Sequence, residues 1–516
     1  MTAPEQGFAG IALAAALAML CTRQPRAAFI CFAAQSAAVA AVAILGGQAL
    51  LVLAPAASVA AVGLVQSRTP SAPGADGRIA GIVAGTVLAA LCLARGDAGI
   101  PLAVVLLAVV LAAVRRDPVM QLLALAAMGN GIALTGCLAG GDALLPLACL
   151  ALPLPMAAGL VGWPRDLAGT ARRWTRRDDA AWLGWAELGG AAVLFAAALI
   201  VPLGAVASVF APLIAFEGVV RSWIARTGES IRPWRRAVSL LKLGFVLLAV
   251  CATGAILSWL AVTAAATAAL LPTAAARRDR LVPAFIGAGL ALFGTLTLPA
   301  EPSPAGYLGL FAGYAMLAAS VPDLAVPLLV LLLRSAVQTE WLPAAEPIGI
   351  CVALTALLIC SALLIRGRHG RADILLLAQG SIAGLAIATA QPDGRFAACV
   401  LLILLSLTRT AARTTRQPAA LLSIAGLAGL PPAGVFPGLV LVVLAIGSHA
   451  PWLLLPLGLA LIPVLLGGLP RRLPAVSPRA ALLSIGWLPL ALGTLFGLFA
   501  PMDLVRWLAA VTMGPS

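Results

Sequence analysis

Residues 419–446 decide the fold and read AALLSIAGLAGLPPAGVFPGLVLVVLAI. The stretch is long enough to cross a bilayer as a helix, which takes about 20 apolar residues. Pro431 and Pro432 nevertheless stand at its middle, and Pro437 follows little more than a turn later. Because proline donates no backbone N–H, a proline pair inside a helix is expected to interrupt it. We therefore predict a Pro-broken helix near 419–446.

A broken helix inside a membrane has two interpretations. In hydrocarbon every unpaired backbone group costs several kcal/mol, so the freed groups must face protein or a water-filled cavity. Half-helices at membrane depth are for that reason typical of ion paths and substrate sites. The alternative is a proline kink with no role in transport. The stretch by itself leaves both interpretations open.

The composition of the whole chain is that of a membrane protein. Of its 516 residues, 62% are hydrophobic and only 10% are charged, and the mean hydropathy is +1.07. This balance excludes an ordinary soluble domain. Apolar runs near span length recur from residues 8–21 to residues 481–499. We predict an all-α, polytopic transmembrane helix bundle of about 17–20 spans.

The net charge of +14 is interpreted as membrane topology. Basic residues concentrate in segments predicted as loops, among them 162–179, 221–236 and 409–416. Cytoplasmic loops carry an excess of Arg and Lys, so the pattern predicts a multi-pass protein with its N-terminus outside. High Ala and Arg with a single Lys favour a GC-rich bacterium, hence the inner membrane.

The expected partner of these basic loops is the lipid bilayer, whose acidic headgroups attract Arg. The loop 162–179 also interleaves Arg with Trp, a pattern found in nucleic-acid binding proteins. Because this loop is short and tied at both ends to apolar spans, no nucleic acid is expected as a partner. The tryptophans are interpreted as an interfacial belt.

Two C-terminal segments resemble the antiporter-like subunits of respiratory complex I, of group-four [NiFe] hydrogenases and formate hydrogenlyases, and of multisubunit cation antiporters. Residues 429–439, GLPPAGVFPGL, are similar to the broken helix G-x-P-P-x-x-G-F-x-x-K/E of that family. The ionisable residue of the motif falls on Leu439. Residues 372–388, ADILLLAQGSIAGLAIA, are similar to a family helix that reads L-x-Y-S-S-I-x-x-x-G, with Gln379 and Ser381 at comparable places.

The N-terminal part resembles the hydrogenase component E-type subunit, which extends the K-type subunit of complex I. It has seven predicted spans, and residues 121–136, QLLALAAMGNGIALTG, are similar to a family helix that contains Met-Glu-Asn-Gly. The glutamate of that motif falls on Gly129. Residues 273–296 resemble the H-type subunit. The resemblances imply three parts: 1–165 component E-like, 180–300 H-like and 305–516 antiporter-like.

The resemblance implies an integral membrane subunit of a complex I-like or group-four hydrogenase-like oxidoreductase, with other membrane and peripheral subunits as partners. Nickel-iron and iron-sulfur centres would belong to those partners. The nine cysteines of this chain never form C-x-x-C and only two histidines are present, so no cofactor or metal is expected here. Since Gly129 and Leu439 replace ionisable groups of the family, we expect a scaffold with little or no pumping. The alternatives are a stand-alone secondary ion or solute transporter and a lipid-handling or envelope assembly protein.

Ionisable residues inside predicted spans are the candidates for a proton path, because a charge in hydrocarbon is expensive. Glu187 either marks a helix end after two tryptophans or lies buried. Glu217 precedes Arg221 by four residues, so an i,i+4 pair at the interface competes with a buried role. Lys242, about a turn and a half inside the predicted span 237–262, either snorkels to the interface or titrates in a cavity.

Glu217 and Lys242 lie on neighbouring predicted spans that both meet the cytoplasmic side, so a pair between them is the candidate proton relay. In the resembled families a Glu/Lys pair controls proton uptake, although these two spans do not carry the family motif. No motif of soluble catalysis is present in a convincing context. We predict no catalytic residue and no metal ligand.

Overall fold

The protein is described here by a computed structural model that covers residues 3–22, 24–68, 85–86, 89, 99–114, 118–139, 176–200, 203–226, 233–252, 254–270, 278–298, 302–338, 341, 343–366, 371–414, 419–431, 434–467 and 488–513. All regular secondary structure in these ranges is helical, and they contain no strand. Six of the described helices are long and apolar enough to cross a membrane: Pro4–Cys21, Pro25–Leu45, Val119–Cys137, Ala205–Ile224, Ala345–Ile365 and Pro392–Ala412. The predicted all-α, membrane-embedded architecture is confirmed at this level, and the full span count stays a prediction.

The chain divides into two compact units. Unit 1 consists of Met1–Pro202 and Ala225–Arg277, and unit 2 consists of Leu203–Ile224 and Arg278–Ser516. The chain therefore leaves unit 1 for a single helix of unit 2 and then returns. The three-part division implied by the resemblance stays a prediction.

Unit 1 is built around one central helix, α5 (Pro118–Ala139), and most residues of this helix are buried. Leu, Ala and Met side chains are buried on every face of α5, as expected for a helix surrounded by others. It packs against α2 and α4, and α1 packs against α2. The described helices of unit 1 are α1 (Ala3–Cys21), α2 (Pro25–Leu45), α3 (Leu53–Arg68), α4 (Gly99–Val114), α5 (Pro118–Ala139), α6 (Arg176–Ile200), α8 (Pro233–Cys251) and α9 (Ala255–Leu270).

One predicted span of unit 1 is wrong. Residues 237–262 form two helices, because α8 ends at Cys251 and α9 begins at Ala255. The Ser258 hydroxyl donates to the backbone oxygens of Ala252 (3.3 Å) and Gly254 (3.0 Å) and so satisfies carbonyls that the turn exposes. The turn reads Ala-Thr-Gly, so the hydropathy of the sequence does not fall where the helix ends.

Unit 2 is also built around one central helix, α15 (Pro392–Thr414), and most residues of its apolar part are buried. This helix packs against α12, α14, α16, α17, α19 and α20. The described helices of unit 2 are α7 (Ala205–Arg226), α10 (Arg278–Thr297), α11 (Pro304–Ser320), α12 (Ala325–Gln338), α13 (Ala345–Ile365), α14 (Arg371–Ala388), α15 (Pro392–Thr414), α16 (Ala419–Ala428), α17 (Phe436–His449), α18 (Leu454–Gly467), α19 (Leu488–Phe499) and α20 (Met502–Met513).

Two local features shape unit 2. Helices α10 and α11 cross closely, because a Cβ atom on Gly294 would lie 2.5 Å from the Leu310 backbone nitrogen. Small residues at such a crossing allow backbones to approach in a membrane. The last two helices, α19 and α20, are bent by 87° at their junction, and they raise the number of candidate spans to seven when they are counted together.

Candidate functional site

Helix α16 ends at Ala428 and α17 begins at Phe436, within the stretch predicted as a broken helix, and whether the two form one Pro-broken span stays a prediction. Helix α16 ends in the hydrogen-bond pattern of a Schellman cap: the Gly429 N–H donates to Gly426 O (3.2 Å), and the Leu430 N–H donates to Ala425 O (3.1 Å). Gly429 occupies the left-handed position of this cap with φ +86°. Glycine suits this position because any side chain would be strained there.

The proline pair explains why α16 does not continue. In a longer helix the carbonyls of Leu427 and Ala428 would accept from the nitrogens four residues on, which belong to Pro431 and Pro432 and carry no hydrogen. Pro432 lies outside the described residues. Pro437 has a different role from the one predicted, because it occupies the first turn of α17, where a missing N–H removes no helical bond.

The chain folds back tightly on α16 before α17 begins. The Val435 N–H donates to Gly426 O at 3.1 Å. Gly434 has φ +69°, and a Cβ atom there would lie 2.5 Å from the Gly426 Cα. Residues 429 and 434–435 therefore lie close to the last turn of α16.

Gln379 of α14 lies directly beside this connection. A Cβ atom on Gly429 would stand 3.4 Å from Gln379 Nε2 and 3.0 Å from Leu439 Cδ2. Gln379 is 0% exposed, and among the described residues neither its Nε2 nor its Oε1 has a hydrogen-bond partner. The two segments that carry the antiporter-like resemblance are therefore in contact, with a buried amide and the 6% exposed Leu439 between them.

A second site in unit 2 is a part-buried ion pair between α7 and α15. Arg409 Nη2 donates to Glu217 Oε1 at 2.6 Å, and the two side chains are 7% and 13% exposed. The Ser406 hydroxyl lies 3.4 Å from Glu217 Oε2. Arg409 Nη1 also donates to the backbone oxygen of Asp323 at 3.1 Å. The pair therefore joins α7, α15 and the turn before α12.

Two predictions about this region are corrected. Arg409 was assigned to the cytoplasmic loop 409–416, yet it lies inside α15 and its side chain is buried. Arg221 is the expected i,i+4 partner of Glu217. Among the described residues the carboxylate partner of Arg221 is instead Asp323, whose Oδ2 lies 3.9 Å from Arg221 Nη1. Glu217 is part-buried, and its role in a proton path stays a prediction. An Arg at the end of an apolar run is predicted to lie in a loop when its carboxylate partner is distant in the sequence.

Unit 1 contains a comparable ion pair between α6 and α8. Arg236 Nη1 donates to Glu187 Oε2 at 3.1 Å, and the side chains are 1% and 3% exposed. Glu187 lies in the interior of α6, which begins at Arg176, so of the two alternatives the helix end is not the one observed. Arg236 was assigned to the loop 221–236 and instead lies in the first turn of α8.

The remaining predicted residues are placed as follows. Lys242 lies in α8 of unit 1, and Glu217 lies in α7 of unit 2. The structure gives Glu217 the partners Arg409 and Ser406, and a relay between Glu217 and Lys242 stays a prediction. Gly129 is buried in α5, and its neighbour Asn130 donates from Nδ2 to Gln35 Oε1 (3.3 Å) and to Ser36 Oγ (2.8 Å).

Each of the two ion pairs sets a carboxylate against a guanidinium. Arg does not lose its proton in proteins, so each guanidinium is a fixed positive charge. Paired with it, a carboxylate gives a pair with no net charge.

Metal binding has no evident site in the described ranges. No three side chains of His, Cys, Asp or Glu gather there as metal ligands would. The expectation that this chain binds no cofactor stays a prediction. Gln379 is the residue that sequence reasoning did not select as a candidate, although a lone amide within the apolar run 374–388 was a visible signal.

Comparison with protein-family models, with curated proteins and with solved structures finds no match to this chain. The resemblance to complex I-like and hydrogenase-like subunits is therefore a hypothesis that depends on the residues of 121–136, 372–388 and 429–439.

Proposed function

We propose that this chain is an integral membrane subunit of a complex I-like or group-four hydrogenase-like oxidoreductase. In this proposal it is a membrane scaffold without redox centres of its own. Helices α16 and α17 form one interrupted membrane element, as in the antiporter-like subunits that they resemble. The observation that carries the proposal is the contact between the two resembling segments at Gly429, Gln379 and Leu439.

The same contact favours scaffolding over pumping. Leu439, which stands at the ionisable position of the motif, is buried beside the interruption and cannot carry a proton. The two glutamates that sequence analysis selected are each bonded to an arginine. Buried pairs of this kind hold helices in a fixed arrangement, because the removal of one partner leaves an unpaired charge.

The proposed assembly supplies what the chain lacks. Peripheral partner subunits would carry the nickel-iron and iron-sulfur centres, and other membrane subunits would carry the coupling ion. The chain would lie in a bacterial inner membrane with its N-terminus outside, in accordance with the Arg-rich loops.

The test is purification of the full-length chain from its native membrane in a mild detergent, followed by native electrophoresis and mass spectrometry. We expect it to migrate with a hydrogenase-like or quinone-reductase-like large subunit and with further membrane subunits. A matched preparation of Arg409→Ala, in which the pair between α7 and α15 is lost, is expected to yield less complex. Migration as a lone protein under conditions that keep known membrane complexes intact would contradict the proposal.

A stand-alone secondary transporter is the second candidate, and Gln379 is the observation that favours it. A buried amide with both polar atoms unpartnered among the described residues, placed at a helix interruption, is the kind of group that binds a polar substrate. Reconstitution of the purified chain in liposomes separates the two functions. Uptake of an ion or solute by the chain alone, lost in Gln379→Leu, would support the transporter and count against the scaffold.

A further inference from the structure

The amide of Gln379 poses a hydrogen-bonding problem that its neighbours do not solve. It lies on α14 between the fully buried residues Leu376 and Ile382, and it is itself fully buried. Its Nε2 carries two donors and its Oε1 accepts two hydrogen bonds, and none of these has a partner among the described residues. Buried amides in native proteins are almost always hydrogen-bonded to protein or to ordered water.

The amide lies beside the end of α16 and beside apolar side chains. Nε2 points at Gly429, in the cap that ends α16. The carbonyls of Leu427 and Ala428, on the last turn of α16, have lost their helical donors to the proline pair. Leu439 Cδ2 and Leu465 Cδ2 lie 3.0 Å and 3.9 Å from the Cβ position of Gly429 and form the apolar side.

We propose that Gln379 and the end of α16 bind ordered water at the helix interruption. A water molecule donates two hydrogen bonds and accepts two, so it matches an amide that needs both an acceptor and a donor. Its remaining hydrogen bond goes to a backbone carbonyl at the end of α16. Buried waters typically make about three such bonds. The site requires no titratable group, because the groups that form it are neutral.

A monovalent cation is the competing occupant, since the C-terminal end of a helix is electrically negative and the site offers carbonyl oxygens. The unpartnered Nε2 argues against it, because an amide N–H2 group repels a cation and would stay without an acceptor. Leu439 occupies the position beside the cap where a carboxylate would balance the charge of a cation. Water satisfies both atoms of the amide and adds no charge to the membrane.

Radiolytic labelling of the full-length protein in lipid nanodiscs tests the proposal. X-rays convert bound water to hydroxyl radicals that oxidise the nearest side chains, and mass spectrometry measures the rate at each residue. We expect Leu439 to be labelled at least about threefold faster than Leu310, because water lies beside it. Leu310 is the matched reference, since it is a leucine of the same unit with nearly the same exposure, 5% against 6%.

Two variants sharpen the measurement. Gln379→Leu is expected to reduce the labelling of Leu439 to the level of Leu310. Ser381→Ala, on the same helix, is expected to leave it unchanged, because the Ser381 hydroxyl already donates to Leu377 O at 2.8 Å. If Gln379→Leu does not fold, the comparison of Leu439 with Leu310 in the unmodified protein decides the question alone.

The proposal is overturned by either of two results. Equal labelling of Leu439 and Leu310 in the unmodified protein would mean that no water is bound at the interruption. A fall of about threefold in Leu439 labelling when sodium chloride replaces choline chloride would mean that the cation occupies the site. Neither result bears on partner subunits, so the proposed function stands or falls separately.

Discussion

Each unit contains an ion pair between a glutamate and an arginine, and the two pairs differ in how far they are buried. In unit 1 the Glu187–Arg236 pair joins α6 to the first turn of α8 with both side chains at most 3% exposed. In unit 2 the Glu217–Arg409 pair is shorter, 2.6 Å against 3.1 Å, and more exposed. Its arginine also bonds the Asp323 carbonyl. The comparison sets a deeply buried pair in unit 1 against a part-buried pair in unit 2 whose arginine also bonds a backbone carbonyl.

The largest expected effect is the loss of one arginine. Arg236→Ala leaves Glu187 charged and buried, and we expect a loss of about 3–5 kcal/mol in the free energy of unfolding. Arg409→Ala is expected to cost less, because Glu217 is more exposed and keeps the Ser406 hydroxyl nearby. Unfolding midpoints of the purified variants in the same detergent measure the difference. An equal or larger loss in Arg409→Ala would break the comparison.

Removal of both charges at once sharpens the comparison further. Replacement of a buried ion pair by apolar side chains is often neutral or stabilising, by about 1–4 kcal/mol. For Glu187→Leu combined with Arg236→Leu we expect a smaller loss than for Arg236→Ala alone, because both charges are removed together. Glu217→Leu combined with Arg409→Leu is expected to destabilise, because the Asp323 carbonyl and the Ser406 hydroxyl lose their partners. The same unfolding assay applies, and stabilisation by both double variants would show that the unit 2 network adds nothing.

The buried amides of the two units extend the comparison to uncharged groups. Asn130→Leu removes the partner of both Gln35 and Ser36, so we expect a loss of about 1–3 kcal/mol. Gln379→Leu breaks no hydrogen bond to a described residue. It displaces water at a net cost below about 1 kcal/mol. A larger loss in Gln379→Leu than in Asn130→Leu, again from unfolding midpoints, would contradict this order.

The smallest effect is expected at an exposed pair of unit 2. His449 Nε2 lies 3.7 Å from Asp393 Oδ2, between the end of α17 and the start of α15. Exposed pairs are weak and are screened by salt, so Asp393→Asn should change the free energy of unfolding by less than about 0.5 kcal/mol. Unfolding midpoints at low and high salt measure this, with Asp503→Asn as a matched exposed control. A loss above about 1 kcal/mol would exceed what an exposed pair contributes and would contradict this order.

Much of the fold was predictable because its signals are local. Composition and run length predicted an all-α membrane protein, and the proline pair located the end of α16 within a few residues. The turn between α8 and α9 was missed, because Ala252, Thr253 and Gly254 are as apolar or as small as a helix interior. Hydropathy registers only a change in polarity.

The ion pairs were half predictable for a physical reason. Glu187 and Glu217 stood out, since a carboxylate in an apolar run is rare. Arg236 and Arg409 did not, because each follows or precedes other arginines that do belong to loops. The partners are 49 and 192 residues apart, and tertiary packing alone brings them together. Gln379 was visible as a polar residue, but its position beside Gly429 depends on how α14 meets α16.

The excursion of α7 into unit 2 has a consequence for biogenesis. Glu217 leaves the ribosome 192 residues before the arginine that neutralises it. At bacterial rates of synthesis this interval is about 10–40 s. For that time the nascent helix carries a carboxylate that no later segment has yet met, so it must be shielded by the insertion machinery or held at the lipid headgroups. Helix α7 is therefore synthesised early, but the ion pair that joins it to α15 can form only after α15 has been synthesised.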